Sequence, residues 1–416
     1  VASVTEIELG ELFDEWDVSG RRIPVEGILE PTFRCNLNCV HCYVNKAAGD
    51  PDARAREAPL GRLKVLVDEI VQAGTLNLLL TGGEVLLRPD FDDLYVYAIE
   101  KGLLVTVFTN GTLVTDRVAD LFARHPPLLV EISLYGRTRE TYERITRVPG
   151  SYDRCLEGIQ RLLDRRVPLK LKTMAMAWNR HEVADMKAFA TERGLGFRYD
   201  GLLNGRVDCG ANRNGELQMS APELLELELA DPEGRARLEQ TAAIVRAAAG
   251  QDQVVEEVYS CGAGAVAFTV DPYGHLQMCQ LSRKASFDLR EHSFAEVWDH
   301  RFPELRARKW QKNDVCRSCN LISMCGSCPG ASELDSGDIE AQVPRFCEIA
   351  HLRAHAMLGD ESGHRRDATC CLGHGTLAAQ PAASLDLGQG CGSCGHAAAE
   401  PLIQLGRRPP APAKPA

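Results

Sequence analysis

Between Val25 and Leu203 the sequence alternates six times between a short apolar run and a stretch at helical spacing, and this restricts the fold more than any other feature. The apolar runs are Val25–Phe33, Leu76–Leu80, Leu103–Phe108, Leu128–Leu134, Pro168–Ala175 and Gly196–Leu203. Helical spacing runs through Leu60–Ala73, Phe91–Lys101, Thr115–Arg124, Thr138–Ile145, Tyr152–Arg165 and Arg180–Arg193. Such alternation implies right-handed βαβ crossovers and a parallel sheet, an α/β fold. Six units are too few to close an eight-stranded barrel, but the barrel rule still applies: chemistry gathers at the carboxyl ends of the strands. Polar clusters follow four of the runs. They are Cys35–Cys42, Thr81-Gly82-Gly83-Glu84, Thr109-Asn110-Gly111-Thr112 and Ser133-Leu134-Tyr135-Gly136.

The first cluster carries Cys35, Cys39 and Cys42, spaced four and then three positions apart. Zinc prefers paired CxxC units and four ligands, and this loop offers neither. Three thiolates hold three irons of a cubane [4Fe–4S] cluster and leave the fourth iron open. S-adenosylmethionine can chelate that iron through its amino and carboxylate groups and accept an electron at its sulfonium. In Gly82-Gly83-Glu84, glycines permit positive φ and close backbone approach, and a carboxylate can accept hydrogen bonds from an ammonium group.

These residues resemble the signature of the radical S-adenosylmethionine superfamily. The resemblance implies an open (β/α)6 partial TIM barrel, a radical-generating [4Fe–4S] cluster on Cys35, Cys39 and Cys42, and a cofactor amino group held by Gly82, Gly83 and Glu84. Residue by residue it also implies cofactor contacts at His41, Ser133, Arg144 and, at the end of the sixth strand, Leu203.

Cys261 opens a second cysteine region. A hairpin pattern follows, Ala265–Val270 and Leu276–Cys279 around Asp271-Pro272-Tyr273-Gly274, which is strong turn chemistry. Then come Cys316, Cys319, Cys325, Cys328 and Cys347. The region resembles the SPASM extension. That resemblance implies two auxiliary [4Fe–4S] clusters ligated crosswise, Cys316, Cys319, Cys325 and Cys347 on one, Cys261, Cys279 and Cys328 on the other. The second set lacks an obvious fourth cysteine, since Val255 stands where some members place one. An open iron, another ligand type or Cys209 could complete it. CxxC pairs also suit zinc; the hairpin and the seven matching positions favour iron–sulfur.

The expected organisation is a lead-in segment over 1–24, the radical core over 25–209, a bridge over 210–258, the auxiliary-cluster domain over 259–358, and a flexible tail over 359–416. The tail is rich in Gly, Ala and Pro and is expected to be disordered. It holds Cys370, Cys371, Cys391 and Cys394, read as incidental thiols, a zinc knuckle or a substrate mimic. Cys155 reads as an ordinary helix cysteine.

Sixteen cysteines at ligand spacings in a large chain without a signal sequence point to metal in a reducing cytoplasm rather than to disulfides. A net charge of −11 argues against broad nucleic-acid binding, and no apolar run spans a membrane. Within the SPASM group the chain resembles maturases of ribosomally made peptides (RiPPs), and also anaerobic sulfatase maturases, which make formylglycine on a protein. The latter carry an aspartate after the cysteine that ends the hairpin; here that residue is Gln280, which cannot act as a carboxylate base. The expected activity is therefore radical modification of a peptide, such as a thioether or carbon–carbon cross-link. A non-catalytic iron–sulfur scaffold or peptide carrier is the reading from another class. The expected partners are a peptide or protein substrate and an electron donor such as flavodoxin or ferredoxin. The stretch before Val25 is too short for a leader-binding domain, so leader recognition is expected from a separate protein or the C-terminal domain.

Overall fold

The computed structural model describes residues 22–44, 46–207, 214–248, 254–312 and 314–359. Cys209, most of the lead-in segment and the four tail cysteines lie outside the described residues.

The strands are β1 (Glu26–Thr32), β2 (Arg34–Cys35), β3 (Lys46–Ala47), β4 (Asn77–Gly82), β5 (Leu104–Thr109), β6 (Leu129–Ser133), β7 (Leu169–Met174), β8 (Gly196–Asp200), β9 (Ala267–Val270), β10 (His275–Gln277) and β11 (Ser286–Asp288). β2 and β3 form a small parallel pair of their own. The other nine make one sheet in the order β11-β10-β9-β1-β4-β5-β6-β7-β8. From β1 to β8 every neighbouring pair is parallel. These six strands are the six apolar runs, and the sheet is the partial barrel expected.

Alternation along the strands sends one set of side chains to the helices. Leu78, Leu80, Val105, Val107, Val130, Ile132, Leu169 and Leu171 share a core with residues such as Phe91, Tyr95, Phe122 and Ile159 from the helices. Helix Leu60–Gln72 shows why these segments are helical. Its buried residues Leu63, Leu66, Val67 and Ile70 fall at i, i+3, i+4 and i+7, one stripe facing the sheet.

The sheet does not stop at β1. Strand β9 pairs with β1 in parallel, from Glu26 opposite Ala267 to Leu29 opposite Val270. The hairpin partner β10 and then β11 follow in antiparallel fashion. The turn is built as its residues dictate: the Asp271 carboxylate accepts from the Tyr273 and His275 amides, and Gly274 takes φ +87°. At the seam Gly27 is a necessity, because a Cβ there would stand 2.7 Å from the Phe268 ring. Among the described residues no helix is long and apolar enough to cross a membrane.

Candidate functional site

The Cys35–Cys42 loop leaves the carboxyl end of β1 and is held from three sides. The amides of Asn38 and Val40 donate to the carbonyls of Thr146 and Ile145, the last turn of helix Arg139–Thr146. Asn36 donates to the Thr112 hydroxyl at 2.8 Å and accepts from the Asn110 amide nitrogen at 2.9 Å. Asn110 also reaches the Cys35 sulfur at 3.7 Å, so the polar cluster after β5 braces the loop. Beneath it, Arg34 and Arg88 flank the buried Glu57 carboxylate, with Arg34 Nε at 2.8 Å.

The Gly82-Gly83-Glu84 turn packs against the same loop. The Gly83 amide donates to Thr32 O and the Glu84 amide to Arg34 O. Gly82 takes φ +115°, and a Cβ on it would sit 2.4 Å from Thr32 O; one on Gly83 would sit 2.3 Å from Arg34 O. Both glycines therefore let the turn close onto the cysteine strand itself, in addition to any approach by a ligand. Glu84 is fully buried and accepts from Leu86 N, the Thr109 hydroxyl and Asn110 N. Burial raises its pKa against those three bonds. A carboxylate has about four acceptor positions, so one position remains for a further donor.

The other positions matched to the cofactor converge unevenly. The His41 ring packs edge-on against Tyr135, with centroids 4.8 Å apart. Its Nδ1 is buried without a partner, and burial brings its pKa down to about 4, so the ring is neutral. Ser133 ends β6, two positions before Tyr135. Leu203 is buried in an apolar cluster with Val40, Tyr135 and Ile145, directly behind the loop. Arg144 is exposed, its guanidinium 4.0 Å over the Trp178 ring.

Ten of the eleven described cysteines lie in the two cysteine regions, and burial and neighbouring thiols shift several of them. Burial pushes the Cys35 thiol up to about 12, with Glu84 and Cys42 adding to it. Cys39 is pushed well up by burial and by Cys42 and Cys35. In the C-terminal region Cys279 is raised by burial, with Cys328 and Cys261 adding; Cys328 is raised by burial and by Cys261. Cys325 is pushed up to about 12 by burial, with Cys347, Cys319 and Cys316 adding. The thiols that act on Cys325 are those of Cys347, Cys319 and Cys316, and the one that acts on Cys328 is that of Cys261. A cavity of about 320 Å³ is lined by six of these thiols, from Cys261, Cys316, Cys319, Cys325, Cys328 and Cys347. Among the described residues no three His, Cys, Asp or Glu side chains are close enough to hold one metal ion; a cube of four irons spreads its thiolates more widely than a single ion does. Raised pKa values keep these thiols protonated, and a metal is held by thiolates, so metal binding would release protons and neutralise the charge that makes the thiolates repel one another. Three thiols, an orphaned imidazole nitrogen and a carboxylate with a vacant acceptor position fit a cluster with a chelating amino-acid cofactor.

A second group was not picked out from the sequence. On β1 the Glu30 side chain is fully buried and accepts from Arg283 at 2.8 Å, Gln280 at 3.0 Å and the Tyr43 hydroxyl at 3.4 Å. Gln280 also donates to the Tyr43 oxygen at 3.2 Å. On the face of the sheet turned away from the helices, Glu131 of β6 pairs with Arg198 of β8 at 2.6 Å and with Lys172 of β7 at 3.7 Å. Burial brings the Lys172 pKa well down. The available signal was a charged residue at alternating positions inside apolar strands, the pattern of a polar barrel interior.

Comparison with known proteins matches residues 29–190 to the radical SAM superfamily model and residues 261–320 to an iron–sulfur cluster-binding domain model, SPASM. The mycofactocin maturase MftC of Mycobacterium tuberculosis is 29% identical, over 81% of this chain and 87% of its own. An AdoMet-dependent heme synthase of Methanosarcina barkeri is 27% identical, over 76% of this chain and 94% of its own. Among solved structures, Streptococcus suis SuiB bound to its precursor peptide SuiA superposes with a TM-score of 0.59 at 17% identity, covering 77% of this chain and 74% of that one. That likeness is one of fold.

Proposed function

Because the chain belongs to the radical S-adenosylmethionine superfamily and carries a SPASM domain, we propose that it uses a 5′-deoxyadenosyl radical to place an oxidative cross-link in a ribosomally made peptide. The observation that carries this reading is the three-cysteine loop at the carboxyl end of β1, braced by Asn110 and closed upon by the Gly82-Gly83-Glu84 turn, together with six further thiols around one cavity of the C-terminal region. The maturase relative supports the peptide as substrate class.

Cys35, Cys39 and Cys42 would hold the radical-generating cluster, and a cluster with bound S-adenosylmethionine supplies the electron and the radical precursor. Glu84 would accept from the cofactor's ammonium group at its remaining acceptor position, steadied by Thr109 and Asn110. His41 offers its unpartnered Nδ1 as an acceptor beside Tyr135, and Leu203 with Val40 forms the apolar wall behind the loop. Ser133 and Arg144 border the same rim. Cys316, Cys319, Cys325 and Cys347 would hold one auxiliary cluster and Cys261, Cys279 and Cys328 the other, for two auxiliary clusters in all. We place the protein in the cytoplasm, where thiolate ligands stay reduced. Domain limits at 25–209 and 259–358 are proposed from the positions of these sets. Gln280, held as a donor to Glu30 and Tyr43, counts against a formylglycine-forming role for residue 280.

The test is iron and sulfide content with EPR on anaerobically reconstituted protein, wild type against a Cys35/Cys39/Cys42→Ala variant. The expected result is about twelve irons falling to about eight, with loss of S-adenosylmethionine cleavage. About four irons with bound zinc would overturn the auxiliary-cluster part. Presenting candidate precursor peptides and, separately, porphyrin substrates distinguishes the maturase reading from the chemistry of the heme synthase relative.

A further inference from the structure

Of the ten cysteines in the three sets, Cys261 is the one exposed to solvent. Beside it opens a cleft of about 460 Å³ lined by Arg22, Glu257, Tyr259, Arg306 and Ala307. Val255 and Ser260 line both this cleft and the thiol cavity, so a single layer of side chains divides the two.

The cleft has two cations held by backbone. Arg306 donates to the carbonyls of Cys261 and Ala263 at 2.7 and 2.6 Å. Arg22 donates to Gly264 O and Trp298 O and stacks 4.8 Å over the Trp298 ring. Among the described residues neither guanidinium is within ion-pair distance of a carboxylate; Glu257 is the one acid of the lining, and Asp299 acts on Arg22 from farther off. They belong to a wider basic band. From Arg301 through Arg317, both included, stand six lysines and arginines against two acids, in a chain whose net charge is −11. Arg308 and Lys309 of this band are exposed. Arg308, Lys309 and Lys312 pair with Glu340, Glu256 and Asp338, and Arg301 and Arg317 also have acidic partners, so among the described residues Arg306 and Arg22 are the cations of this region outside ion-pair distance of an acid.

We propose that this cleft is the docking site of an acidic one-electron carrier protein, which reduces the enzyme through the thiol set that contains Cys261. The proposal rests on the iron–sulfur reading above. Opposite charge raises the encounter rate and orients the carrier, and the exposed Cys261 puts the edge of the set within one side-chain layer of the docked surface. The exchange is one electron: the carrier is oxidised by one, the iron–sulfur site is reduced by one, and no atom is transferred. From that site a continuous bonded route leads inward, through Cys279, Gln280, the 3.2 Å hydrogen bond to Tyr43, and Cys42.

The experiment uses the full reconstituted chain. Bleaching of its visible absorption is followed after mixing with photoreduced flavodoxin, and separately with dithionite, at low and high salt. Wild type is compared with Arg306→Glu and with Ala307→Glu, which adds an acid to the cleft without touching an anchoring bond. Reduction by flavodoxin is expected to slow at least tenfold in both variants and to lose its salt dependence, with dithionite reduction and iron content unchanged in Ala307→Glu. An unchanged flavodoxin rate in Ala307→Glu, or a wild-type rate insensitive to salt, would overturn the docking site. Absence of bleaching by dithionite in wild type would instead overturn the iron–sulfur reading, and this proposal with it.

Discussion

Gln280 donates through Nε2 to the hydroxyl of Tyr43 at 3.2 Å, and these two residues directly follow Cys279 and Cys42. Two cysteine sets from regions more than two hundred residues apart in sequence are thereby fixed to each other through their immediate neighbours. Glu30 closes the arrangement from below, bonded to both side chains and to Arg283.

Glu30→Ala is the sharpest test of that junction. It leaves the largely buried Arg283 guanidinium without its carboxylate, and breaking a buried pair from one side costs about 3–5 kcal/mol. Urea denaturation should show this loss, and Glu30→Gln, which keeps an acceptor for Arg283, should show less. Equal stability of wild type and the alanine variant would mean the pair is not formed.

Gly83→Ala should disrupt the cysteine loop. The new Cβ would lie 2.3 Å from Arg34 O, a backbone atom that cannot step aside without moving Cys35. Overpacking of this kind costs about 1–3 kcal/mol, and reconstituted iron should fall by the N-terminal share alone. Full iron occupancy in this variant would show that the turn and the loop are not coupled.

The crosswise partition predicts pairs of matching spectra. Cys325→Ala should remove the same EPR signal as Cys347→Ala, and Cys328→Ala the same signal as Cys279→Ala. If Cys325→Ala and Cys328→Ala instead removed one shared signal, the CxxC pair would serve a single centre.

His275 gives the hairpin a pH dependence. Its hydrogen bond to Asp271, 3.0 Å away, raises its pKa above the ordinary value, and burial opposes the rise. A group with a raised folded pKa binds its proton more tightly in the folded state. The stabilisation is therefore complete below about pH 6.5 and is lost as pH rises through the folded pKa. Thermal unfolding measured from pH 6 to 9 should show this decline in wild type and a shallower one in His275→Gln.

The barrel was legible because its signal is local. Each of the six parallel strands β1, β4, β5, β6, β7 and β8 is a short apolar run, and the helices carry their own stripes, as Leu63, Leu66, Val67 and Ile70 do. The rim clusters were legible because glycine, cysteine and asparagine side by side have few structural explanations. The pairing of β9 with β1 was not, since nothing in Ala267–Val270 names a partner, and the close approach at Gly27 looks like any strand glycine. Crosswise sorting of Cys325 and Cys328 came from family resemblance; spacing alone would have put neighbours on one centre. The Glu30 network was hidden because its members, Tyr43, Gln280 and Arg283, meet only when the hairpin docks on the barrel.

The β1–β9 seam also dictates when the molecule can finish folding. Glu26 waits for Ala267, so the edge of β1 has no partner until the hairpin has been synthesised. At about 5–20 residues per second that interval is roughly 12–50 seconds, during which a nascent barrel presents an open strand edge of the kind that invites misassociation. The chain is thus committed to late closure, and its yield in cells should respond to translation speed and chaperone supply between β8 and β9 more than to the stability of the finished sheet.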